Sequence, residues 1–150
     1  MAVNFTNNWK NILDKLESIL ETEFKGALPV YKGKDIPKGV NQAIQLIPTG
    51  TVLIEYNVTS ETREFSITLR YVFAEANVNE RALDHILRQV SRVEALIHDN
   101  TAMTLDKGSD ADNSNAFNCR FESTELNADE ESGIYIVVWD YKCQHLGNVG

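Results

Sequence analysis

Several segments carry residue types capable of chemistry. The segment "KGKDIPKG" places Lys32, Lys34 and Lys38 among glycines and a proline. A phosphate-cradling loop needs G-x-x-x-x-G-K-[ST] at the mouth of a helix, so that backbone amides wrap the anion. That spacing is absent, and a strand pattern rather than a helix follows. The lysines are therefore expected to be loop charges, or a docking edge for an acidic neighbour. Further along, "DKGSDADNSN" offers Asp106, Asp110 and Asp112, hard oxygen ligands of the kind Ca²⁺ and Mg²⁺ take. The glycine that turns a calcium loop is missing, and Phe121 stands where the bidentate glutamate belongs. A flexible acidic loop is the expectation, with no metal.

The three histidines are scattered. His85 and His98 fall on one helical pattern about 20 Å apart, and His145 is near the C-terminus. No H-x-x-x-H pair and no G-x-S-x-G elbow occurs, so zinc and serine hydrolases lack their parts. Cys119 and Cys143 do not make a C-x-x-C pair. Cys119 alternates with Phe117 and Phe121 in a strand pattern that puts the three on one face, which points to a packed core thiol. Reduced, packed thiols are expected for both cysteines, with a cross-strand disulfide as the alternative. No catalytic constellation emerges, although two carboxylates distant in sequence could still meet in space for acid–base work.

The elements that hold these residues can be read from periodicity. Phe5, Trp9, Ile12, Leu13, Leu16, Ile19, Leu20 and Phe24 recur at steps of three and four, one stripe of an amphipathic helix. Asn4 or Thr6 can cap it and Gly26 can end it. "LPVY" and "AIQLIP" follow as short strands. "TVLIEYNV" and "EFSITLRYVF" then form a hairpin around "TSETR", the segment that holds Glu61 and Arg63. Phe65, Ile67, Leu69, Tyr71 and Phe73 alternate onto one face. A second helix, capped by Asn77 or Asn79, has the stripe Leu83, Ile86, Leu87, Val90, Val93 and Leu96 or Ile97. A long polar connection follows. The chain closes in the hairpin "AFNCRFESTEL" and "GIYIVVWDYKC", around the acidic turn holding Asp129, Glu130 and Glu131. This order predicts a single α+β domain, residues 1–150, with both helices on one face of a mostly antiparallel sheet.

At 150 residues the chain is long enough to bury a core without disulfides or metals. No apolar run approaches the roughly 20 residues that span a bilayer. The N-terminus lacks the layout of a secretion signal, so synthesis in cytoplasm is the expectation. The net charge of −8 is uneven. Residues 1–98 carry eleven Lys/Arg and twelve Asp/Glu, whereas residues 99–150 carry three and ten. Such a surface repels phosphate backbones, which argues against sequence-specific nucleic-acid binding but not against a wall that DNA slides past.

The helix "NNWKNILDKLESILETEF", "PVYKGKDIP", "AIQLIPTG", the strand "FSITLRYVFAE", the helix "NERALDHILRQVSRVEALI" and the closing "IYIVVWDYKC" together make a familiar arrangement. Over nearly the whole chain, in element order, length and pattern, they resemble the tail terminators and tail-completion (head–tail joining) proteins of tailed bacteriophages. The resemblance implies a small structural subunit of the virion, with no enzyme activity and no cofactor, assembled in the host cytoplasm into a ring, usually a hexamer. That ring caps the tail tube, stops its growth and receives the head connector, while DNA passes through its lumen.

On that reading Lys32, Lys34, Lys38, Glu61 and Arg63 are candidates for subunit or partner contacts. Asp106, Asp110, Asp112, Asp129, Glu130 and Glu131 are candidates for an acidic lumen or loop surface. The partners implied are further copies of the chain, the tail tube protein and a head-completion or connector protein. The nearest alternative is a head-completion (neck) protein of the portal–tail junction. A small ligand-binding or enzymatic α+β domain is a second. A DNA-binding regulator would need a basic surface that the sequence lacks.

Overall fold

A computed structural model of the chain describes residues 7–33, 41–74, 80–105, 115–129 and 134–148. Two helices, α1 (Asn8–Phe24) and α2 (Glu80–His98), accompany six strands. These are β1 (Val30–Lys32), β2 (Gln42–Tyr56), β3 (Ser60–Ala74), β4 (Met103–Thr104), β5 (Asn115–Asp129) and β6 (Ile134–Asn148). They form one sheet in the order β1-β2-β3-β6-β5-β4, antiparallel throughout except for β1 against β2. The α+β class expected from the sequence is the class observed.

The α1 start shows how local chemistry sets a boundary. Asn7, rather than Asn4 or Thr6, is the cap: its Oδ1 accepts from the Lys10 N–H at 3.1 Å. Such a bond satisfies one of the amides a helix start leaves unpaired. At the other end Lys25 (φ 51°) already turns left-handed, and Gly26 (φ 82°) continues the turn. Glycine adopts that region at no steric cost, which is why the chain can leave the helix here. Phe5, Asn77 and Asn79 lie outside the described residues.

Ile12, Leu16, Leu20 and Phe24 of α1 are buried in one cluster with Phe65, Ile67, Leu69 and Tyr71 of β3 and Val137, Trp139, Tyr141 and Cys143 of β6. Ile86, Val90, Val93 and Ile97 of α2 join the same cluster. Both helices therefore cover one face of the sheet, as the alternation in β3 predicts. The α2 stripe is rotated from its expected position. Ala82 is buried, while Leu83 and Leu87 are 36% and 43% exposed. The sequence 82, 86, 90, 93, 97 keeps the 3.6-residue period on one line, and the small Ala82 lets the helix approach where a leucine would hold it off. Across the helix pair, Arg92 donates to the Glu23 carboxylate and to the Glu23 carbonyl, both at 2.9 Å, with its guanidinium 4.6 Å from the Phe24 ring centre.

Three further differences from the sequence expectation have physical causes. "AIQLIP" and "TVLIEYNV" are one strand, β2, rather than two. Pro48 lacks an N–H, but β1 pairs with β2 only from Ile44 to Leu46, so among the described residues no strand faces Pro48 on that edge and no donor is needed. The register slips between Pro48 and Gly50, and the Thr49 hydroxyl donates to the Ser66 carbonyl at 2.9 Å. Secondly, the polar connection after α2 contains β4, whose Met103 is buried with the following Leu105. Thirdly, Phe117 does not share a face with Cys119 and Phe121. A bulge sets Asn118 (φ 53°) and Cys119 together against one position of β6, between the pairs Phe117–Gln144 and Arg120–Lys142. The extra residue turns Cys119 into the core and leaves Phe117 on the other side.

Candidate docking surface

The strands outrun the helices. Beyond the rows that α1 and α2 cover, β2 and β3 continue as an arm, paired from Thr51–Phe65 to Tyr56–Glu61, with the end of β6 (Cys143–Asn148) along the other side of β3. The arm turns through Asn57, whose Oδ1 accepts from the Thr59 and Ser60 amides at 2.9 and 2.8 Å. An asparagine that bonds to its own downstream backbone fixes such a turn locally, without help from the core. On this arm Val52, Leu53, Ile54, Tyr56 (60%) and Val58 (89%) are exposed. Among the described residues β2 has no strand on its outer side here, since β1 pairs with it only as far as Leu46. Exposed apolar side chains gathered on an open strand edge mark a contact surface rather than scattered surface residues.

On the β3 strand of the arm, opposite Tyr56 and Leu53, Glu61 and Arg63 meet. The Arg63 Nε is 3.1 Å from the Glu61 carboxylate, and its guanidinium also donates to the Thr51 hydroxyl at 3.4 Å. With Asn8, Phe65, His145 and Gly147 they line a cleft of about 20 Å³, enough for one water molecule. His145 is buried beside Phe65, with ring centroids 6.3 Å apart, and Trp9 of α1 meets the same Phe65 edge-on at 4.7 Å. The cleft is too small for a substrate and is the seam where the helical layer stops and the arm begins.

The sheet face opposite the helices carries a second network. Arg120 of β5 donates to Glu64 of β3 at 3.0 Å and to Glu122 at 2.8 Å. Gln144 also donates to Glu64 at 3.3 Å, and Lys142 donates to the Ser66 hydroxyl at 3.2 Å. The bond from Arg120 holds the Glu64 carboxyl below its ordinary value.

The residues singled out from sequence fall in separate places. Glu61 and Arg63 are together at the arm. Lys32 lies on the β1 edge, in register with Leu46, which faces Leu69. Leu69 is six residues along β3 from Arg63, about 20 Å. The Lys32 ammonium is bound within the chain, 2.6 Å from Asp14, which Lys10 also contacts at 2.6 Å. These two ammonium groups lower the Asp14 pKa. Asp129 ends β5 opposite Ile134, at the far end of the sheet from the arm. Lys34, Lys38, Asp106, Asp110, Asp112, Glu130 and Glu131 lie outside the described residues. Among the described residues no three His, Cys, Asp or Glu side chains gather as a metal site, and no helix is long and apolar enough to cross a membrane.

Sequence reasoning missed the apolar side of the arm. The pattern of "TVLIEYNV" points to a strand and by itself to no interface. The signal was there: Val52, Leu53 and Ile54 are consecutive, not alternating, so one covered face could never bury them all.

No protein-family model matches the chain, and no curated protein matches it. Among solved structures, the fold is shared with a chain of the virion of a native gene transfer agent particle. That likeness has a TM-score of 0.55 at 10% identity and covers 88% of this chain and 84% of the other.

Proposed function

We propose that the chain is a structural subunit of a phage-like virion. In the finer reading it is a tail terminator, assembled as a ring, of six subunits by the family's habit. The ring caps the tail tube, offers its other side to the head connector at the tail–neck junction, and lets DNA through its lumen. The observation that carries the virion reading is the shared fold with a gene transfer agent virion chain over 88% of this chain. The arm adds a physical reason: a monomer gains nothing from exposing Tyr56 and Val58, whereas a ring subunit must offer two different patches to its neighbours. The chain acts by binding and shape, not by catalysis. Its acidic last third suits a passage that DNA crosses without adhering.

The test is the solution mass by light scattering, for the chain alone and with its tail tube protein. A ring of about six, formed alone or on the tube, supports the terminator reading. Binding to the portal complex but not the tube assigns the chain to the neck instead. A monomer indifferent to both overturns the virion reading, and detectable turnover of a small molecule would replace it with an enzyme.

A further inference from the structure

Cys119 and Cys143 are neighbours across the β5–β6 ladder. The bulge at Asn118 leaves Cys119 facing the one β6 position between Gln144 and Lys142, which is Cys143. Both are free thiols, 1% and 0% exposed, hydrogen-bonded to each other, with the Tyr141 hydroxyl beside them. That hydroxyl in turn contacts the Met103 sulfur at 3.8 Å. Two buried thiols at facing positions of adjacent antiparallel strands are the neighbours a cross-strand disulfide would join. Nothing in the assembly reading uses them.

We infer that Cys119 and Cys143 are a modification site: a dithiol that a small-molecule disulfide oxidises to an intramolecular bond joining β5 to β6. The two cysteines have different parts. Cys119 is on β5, whose outer neighbour among the described residues is the two-residue β4 paired at Asn115 and Ala116, and its N–H is held by the Thr101 carbonyl at 2.9 Å. Cys119 faces the core cluster, and local opening at this sheet edge is its shortest route to solvent. Cys143 is on β6, enclosed between β3 and β5, and stays covered. The hydrogen bond from Cys143 also lowers the Cys119 pKa, while that bond and burial raise the pKa of Cys143. Cys119 is therefore the attacking thiol and Cys143 the resolving one.

The exchange balances. The Cys119 Sγ attacks one sulfur of the small disulfide and expels a thiolate. The Cys143 Sγ then attacks the Cys119 Sγ and expels the second. The two thiol protons pass to the two released thiolates, so the protein loses two hydrogens and the oxidant becomes two thiols. In a reducing cytoplasm the pair stays open, and it closes where the surroundings oxidise. This inference does not rest on the proposed function.

The experiment treats the folded, purified chain with glutathione disulfide and follows intact mass. The expected product lacks two hydrogens, carries no glutathione, yields a Cys119–Cys143 linked peptide, and reverts with dithiothreitol. Closing the loop should raise the melting temperature by about 5–10 °C. Cys143→Ser should instead trap one glutathione on Cys119, and Cys119→Ser should stay unmodified. If either variant fails to fold, the wild-type peptide map decides alone. Stable glutathione adducts on the wild type, links between chains, or thiols that stay reduced until the chain is unfolded would each overturn the inference.

Discussion

The Arg120 guanidinium crosses the whole width of β6 to reach Glu64, 3.0 Å away on β3. One side chain thus ties three strands together on the face that has no helices. The pair is mostly shielded, so it should matter more than an ordinary surface pair. Arg120→Met is expected to cost about 1 kcal/mol at neutral pH, measured by urea unfolding.

The acid dependence follows from the sign of the Glu64 shift. Its folded pKa lies below the ordinary 4.5, chiefly through the Arg120 hydrogen bond. The stabilisation is therefore complete above 4.5 and is lost as pH falls through the lowered folded value. Glu64→Gln should be less stable than wild type at pH 7, and the difference should close on acidification. A gap that stays constant down to pH 3 would show that the pair is not its source.

The rotation of α2 makes a sharp comparison. Ile86→Ala removes a fully buried side chain and should cost about 2–5 kcal/mol. Leu87→Ala, one position on, should cost less than about 1 kcal/mol, because 43% of that residue faces solvent. Equal losses in thermal melts would contradict the observed face.

On the arm, stability and association should separate. Changing Ile54 and Tyr56 to serine leaves the monomer within about 0.5 kcal/mol of wild type, as for exposed sites generally. Association, read by sedimentation or light scattering, should be lost. Asn57→Ala acts differently: it removes the acceptor for the Thr59 and Ser60 amides and should speed amide exchange at the tip while leaving the core unchanged.

Charge offers the last test. Neutralising Asp106, Asp110, Asp112, Asp129, Glu130 and Glu131 should make the assembled chain retain DNA at low salt, with retention falling steeply as salt rises. If neither DNA retention nor DNA passage changes, these residues do not face the lumen.

Legibility in the sequence followed the strength of local signals. Strict alternation from Phe65 to Phe73 announced the covered face, and the α1 stripe announced the helix that covers it. Both survive because a long periodic pattern has few competing arrangements. What was lost depended on single residues in context. Pro48 looks like a strand end unless the neighbouring edge is known to be empty. Asn118 inverts Phe117 by one bulged residue, which alternation alone cannot foresee. Leu83 and Leu87 outrank Ala82 in hydrophobicity, yet packing distance favoured the smaller side chain. The arm was half legible: its hairpin was plain, but whether consecutive apolar residues face a core or a partner is decided by what lies beyond the chain.

One consequence is mechanical. α1 has 17 residues and α2 has 19, so they run about 26 and 28 Å. β2, β3, β5 and β6 have 15 each, a contour of about 50 Å. The overhang is tied to the body by a ladder that pairs β3 with β6 from Ser60–Asn148 to Ala74–Ile134. Its hydrogen bonds lie across the strand direction. A pull on the arm along its length would load those bonds in shear, many at once, rather than unzip them singly. The arm is built as a tension member, anchored along its full length in the sheet.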